Sequence, residues 1–128
     1  MKFRYLTVFV DDVARTLAFY DAVFGLRASF VHESGQYAEL ETGATKLAFS
    51  AHTLAREVVA GAYRAAAPAE PPLGFEIGLQ VEDARVAYDR AVAAGAASHR
   101  EPASMPWGQT IAYVRDPDGT LVVLVEGD

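Results

Sequence analysis

The sequence predicts an α+β fold of two βαβββ modules, forming a cupped, mixed, eight-stranded sheet with the helices outside. Three observations lead there. Eight short stretches alternate apolar and polar residues or run apolar between turn residues. Two stretches carry apolar residues at helical spacing. The same punctuation, Val10-Asp11-Asp12 and Val81-Glu82-Asp83, recurs about seventy residues apart, which points to an internal duplication.

Residues 3–10 open the first module as a strand, with Phe3, Tyr5, Thr7 and Phe9 on one face and Leu6, Val8 and Val10 on the other. Asp11-Asp12 ends it and offers an N-cap. From Val13 to Phe24, Val13, Leu17, Tyr20 and Phe24 recur at three- and four-residue steps, an amphipathic helix with Gly25 as its C′ residue. Asp21 marks the edge of that stripe. Residues 27–32 read as a short strand, followed by a Ser34-Gly35 turn. Residues 37–41 and 46–50 form a hairpin around Thr42-Gly43-Ala44-Thr45. If Glu41 and Lys46 close the loop, Glu39 pairs with Ala48. Leu40, Leu47 and Phe49 then back the helix while Tyr37, Glu39 and Ala48 face away from it.

A short helix over 53–60 leads into an alanine- and proline-rich stretch ending in Ala69-Glu70-Pro71-Pro72, the best internal boundary. Module one is thus residues 1–52, the linker 53–73 and module two 74–128, within a single domain. Module two repeats the order: a strand at 75–81, a helix at 84–94 closed by Gly95, and a short strand at 96–100. Its final hairpin joins 110–114 to 120–125 through Asp116-Pro117-Asp118-Gly119, residues suited to a tight turn. Just before it, Met105-Pro106-Trp107-Gly108 places the single tryptophan either at the end of the core or over a pocket.

Composition narrows the function. With 128 residues, 52% hydrophobic and 22% charged, the chain can bury a core. A formal charge of -6 disfavours nucleic acid and anionic membrane surfaces as partners. Without cysteine there is no disulfide and no thiolate chemistry. The N-terminal apolar run is too short for a signal peptide and no segment reaches a membrane span, so a soluble cytoplasmic protein is expected. No P-loop, G-x-S-x-G motif or triad spacing is present. The three histidines, His32, His52 and His99, lie in no metal-binding spacing. His52, leaving the end of a strand, is the best placed of them for a pocket.

The V-x-D…A-F-Y…F-G-L start and the D-P-D-G end, within repeated βαβββ order, resemble the vicinal oxygen chelate superfamily of glyoxalases, extradiol dioxygenases and bleomycin resistance proteins. The resemblance covers nearly the whole chain. It implies paired modules, a cupped sheet and a homodimer. It also implies a divalent metal held by His or Glu at four strand positions, which fall here on Tyr5, Ala48, Glu76 and Val123. Ala48 and Val123 have no donor atom, and a neutral tyrosine is a poor ligand.

The chain is therefore closest in character to the metal-free, bleomycin-resistance-like branch. The expected activity is sequestering of an aromatic or cationic organic ligand without metal or other cofactor; enzymatic activity is left open, with Glu76 the candidate catalytic residue. The expected ligand face comprises Tyr5, Thr7, Phe9, Tyr37, Glu39, Glu76, Thr110 and Ala112, with His52 beside it and Trp107 at its rim. The alternative is a metal-dependent lyase, isomerase or dioxygenase with altered ligands. Glu76 would then be the surviving ligand or the general base, with Glu39 and His52 completing the set.

Overall fold

The computed structural model describes residues 1–127. The chain divides into two compact units, Met1–Ala65 and Ala66–Asp128.

In the first unit, β1 (Tyr5–Val10), α1 (Val13–Phe24), β2 (Ala28–Val31), β3 (Tyr37–Leu40), β4 (Lys46–Ala51) and α2 (His52–Val59) follow in order. The sheet order is β1-β4-β3-β2, with β1 parallel to β4 and the other pairs antiparallel. Asp12 caps α1 by accepting from the Arg15 N–H at 3.1 Å. Gly25, at φ 69°, ends it in the left-handed conformation. Val13, Thr16, Phe19, Tyr20 and Val23 are buried, whereas Leu17 and Phe24 are only half-buried. The stripe is thus turned from the expected one: the Thr16 hydroxyl bonds the Asp12 carbonyl at 3.2 Å and needs no water. Tyr20 packs on Phe49, ring centroids 5.2 Å apart, so odd-numbered residues of β4 face the helix.

In the second unit, β5 (Ile77–Val81), α3 (Ala84–Ala93), β6 (Ala97–Ser104), β7 (Thr110–Arg115) and β8 (Leu121–Glu126) form the sheet β5-β8-β7-β6 with the same pairing senses. Asp83 caps α3 at the Val86 N–H as Asp12 caps α1. Two strands differ from expectation. β5 starts at Ile77, leaving Phe75 and Glu76 before it, because the Phe75 N–H is committed to a turn with the Leu73 carbonyl at 2.8 Å. β6 runs on through Pro102 to Ser104. Proline is tolerated there because β6 is an edge strand whose register shifts between Arg100 and Ala103.

The strands pair as two four-stranded sheets, neither closed, rather than as one ladder of eight. Alternation fixes which residues share a face but not which strand supplies the next row of hydrogen bonds. The Asp116-Pro117-Asp118-Gly119 turn is tied down firmly. Buried Asp116 accepts through Oδ1 from the N–H groups of Asp118 and Thr120 at 2.9 and 3.0 Å. Arg115 donates to the carbonyls of Gly119, Ala67 and Pro68. Gly119 lies at φ 93°, and a Cβ there would meet the Ala67 carbonyl carbon at 2.7 Å. Only glycine fits.

Candidate functional site

Pairing register builds the open face of the first unit residue by residue. Thr7 lies beside Ala48, Ala48 beside Glu39, and Glu39 beside Phe30. One row further, Phe9, Ser50 and Tyr37 stand in line, and Tyr5 lies beside Lys46. Side chains alternate across a strand, so these residues share the face turned away from the one that holds Phe49 and α1. Small residues in β4, Ala48 and Ser50, run between larger ones on β1 and β3. The aromatics are not spent on core: Tyr5 is 44% exposed and Phe30 47% exposed. Phe9, Tyr37 and Glu39 are half-buried.

The polar centre is a pair on β3. The Tyr37 hydroxyl donates to Glu39 Oε2 at 2.9 Å. Burial, then that hydrogen bond, then the charge of Glu39, push the Tyr37 phenol well above its ordinary value, so it stays a neutral donor. Tyr37 thereby fixes the carboxylate with Oε1 left for a ligand. At one end of the face, Lys46 is held by Glu41 at 2.9 Å, and Arg4 lies over the Tyr5 ring at 5.6 Å. At the other end, His52 is buried and its Nδ1 is 2.6 Å from the Tyr63 hydroxyl, with Nε2 3.7 Å from Asp11. Nδ1 is thus engaged by Tyr63, and the group His52 positions is that tyrosine, whose ring meets Phe9 edge-on at 4.9 Å. Sequence reading missed Tyr63. The one available signal was a tyrosine within an alanine-rich linker.

The second unit holds the remaining expected residues. Gly78, Val123 and Tyr113 stand in one row, and Gln80, Val125 and Ile111 in the next. Thr110 and Ala112 are not on this face. They share the phase of Val114, and Ala112 is fully buried opposite Leu124. Strand period two leaves no other outcome: Tyr113 and Ile111 take the places expected for them. Glu76, exposed and just ahead of β5, accepts from the Tyr113 hydroxyl at 2.9 Å. Burial first, and then Glu76, raise the Tyr113 phenol, with Arg100 opposing. Trp107 is 67% exposed in the loop between β6 and β7, its Nε1 donating to Gln109. It does not plug the core.

The residues do not suit the family's metal. In the first unit, Tyr5 is flanked by Lys46, while Ala48 is fully buried and offers no donor. In the second, Val123 is packed with Met105 and Ile111 in an apolar cluster. Among the described residues no three His, Asp or Glu side chains gather as a metal would require.

The model of the family described as Glyoxalase/Bleomycin resistance protein/Dioxygenase superfamily matches residues 2–124. An uncharacterized protein of Bacillus subtilis (strain 168), YraH, is 27% identical over 123 residues, 95% of either chain. A glyoxalase-related enzyme from Fulvimarina pelagi superposes with a TM-score of 0.85 at 22% identity, covering 99% of this chain and 88% of that one. A glyoxalase/bleomycin resistance protein/dioxygenase family enzyme from Burkholderia phytofirmans PsJN gives 0.79 at 22% identity over 98% of both. At such identities the structural likeness speaks for the fold alone.

Proposed function

We propose, from the premise that this chain belongs to the glyoxalase/bleomycin resistance protein/dioxygenase superfamily, that it binds a small aromatic, cationic organic molecule without a metal. The observation that carries the reading is the open face of the first unit, where exposed and half-buried aromatics surround a carboxylate already oriented by Tyr37. Exposed aromatic side chains grouped on one sheet face are commonly a binding surface. Rings beside a carboxylate suit an organic ammonium, whose charge the carboxylate meets and whose carbon body the rings cover.

Magnitudes order the contributions. A charge-assisted hydrogen bond is worth about 1.5–3 kcal/mol, and a cation over one exposed ring about 0.5–1 kcal/mol. Glu39 should therefore dominate, with Tyr37 acting through it. Tyr5 contributes less because Arg4 already occupies its ring.

Calorimetric titration with benzyltrimethylammonium tests this. Saturable binding is expected, weakened tenfold or more in Glu39→Gln and only a few-fold in Tyr5→Leu. Equal affinity in wild type and Glu39→Gln would remove the proposed site. Metal analysis of protein purified without chelator checks the metal-free part: stoichiometric Ni, Zn, Mn or Fe that disappears in Glu76→Ala would favour the enzymatic alternative instead.

A further inference from the structure

The second unit carries a group of side chains that the cation-binding reading leaves unused, brought together by a defect in strand pairing. On β6, Ser98 pairs with Val114 and Arg100 pairs with Tyr113, so His99 is an extra residue with no partner of its own. Such a bulge turns neighbouring side chains toward one place instead of alternating them. The His99 ring meets the Tyr113 ring edge-on at 6.2 Å, while Arg100 sits opposite Tyr113 in the ladder. The Tyr113 hydroxyl is in turn fixed by Glu76. No hydrogen bond or ion pair engages the Arg100 guanidinium among the described residues.

The same row then runs from Tyr113 across Val123 to Gly78. Gly78 is exposed, has no positive φ, and a Cβ added to it would meet only Val123 Cγ1 at an ordinary 3.6 Å. Neither backbone nor packing demands glycine, so its effect is to leave the row open. Val123 belongs to an apolar cluster with Met105 and Ile111, against which Tyr113 packs.

We propose that this bulged face of the second unit is a binding site for a small aromatic carboxylate. The guanidinium of Arg100 takes the carboxylate as a two-pronged donor, with His99 beside it. The ring lies over Tyr113 and Val123 toward Gly78. The site stands on this unit alone and does not depend on the cation-binding face. The overall charge of -6 gives the chain no general attraction for anions, so a carboxylate response has to come from these local groups.

Benzoate titration of the ¹⁵N-labelled protein followed by NMR tests the proposal, with benzyltrimethylammonium as the probe of opposite sign. Saturable shifts at His99, Arg100 and Tyr113 are expected. Arg100→Gln should weaken benzoate about tenfold or more, and Gly78→Val should weaken it by filling the row without altering charge. Arg100→Lys should fall between, keeping charge but losing the fork. Arg100→Gln alters an exposed side chain on an edge strand and leaves the fold intact. Absence of saturable benzoate shifts, or equal affinity in wild type and Arg100→Gln, would overturn the site. Since Glu39→Gln should leave the benzoate response untouched, failure here is separable from failure of the cation-binding reading.

Discussion

The two hairpins that close the modules occupy the same place in the chain order and behave differently. In the first, Thr42 to Thr45 is exposed, and its Glu41–Lys46 pair lies at the surface. In the second, Asp116, Asp118, Gly119 and Thr120 are buried, and Arg115 ties the turn to Ala67 and Pro68. Both turns need a glycine at positive φ, yet only one has backbone pressed against it. A turn sequence reports local geometry. Whether that geometry is also a tertiary joint depends on chain far away in sequence.

Substitution should separate the two. Gly119→Ala combines positive-φ strain with a close approach to the Ala67–Pro68 backbone and should cost on the order of 3 kcal/mol or more. Gly43→Ala has the same strain and open space around it, so about 1–2 kcal/mol is expected. Urea unfolding of both variants gives the difference. Equal losses would mean that the contact at Gly119 relaxes freely and the joint carries nothing.

The helix caps provide the converse case, in which the modules should match. Asp12→Ala and Asp83→Ala each remove one side-chain bond to a backbone N–H and should each cost about 1 kcal/mol. A loss confined to one of them in thermal melts would show that the repeat is conserved in form but not in energetics.

The smallest effect concerns the two tyrosine–carboxylate pairs. A phenol raised in the folded state binds its proton more tightly there than when unfolded. Its contribution is complete below the unfolded value near 10 and is lost as pH climbs through the higher folded value. Tyr37→Phe should therefore flatten the fall of melting temperature above about pH 10 and remove a late phenolate from the alkaline absorbance titration. An unchanged profile would show that burial and Glu39 do not hold that proton.

Much of the first unit's candidate face was legible in sequence because it rests on period two and a short hairpin. Thr7, Ala48 and Glu39 follow from one register, once Glu41 and Lys46 close the loop. The second unit was harder. A turn sequence does not state which face of the preceding strand is buried, and Thr110 and Ala112 were placed one residue out of phase with Tyr113. Tyr63 reaches Phe9 and His52 only because the chain folds back after α2.

By itself, then, the sequence determined the elements, their repeated order and their caps, and it put side chains without donor atoms at Ala48 and Val123. All of these depend on side-chain type and on spacing over a few residues. Tertiary structure decided that the strands form two sheets, that β5 begins after Glu76, and that a bulge sets His99 and Arg100 together against Tyr113. The Met105–Val125 stretch shows both parts: its Asp-Pro-Asp-Gly turn was readable as a turn. That Arg115 fastens it to Ala67 and Pro68 was not, because hydrogen bonds between chain segments about fifty residues apart leave no local period to read.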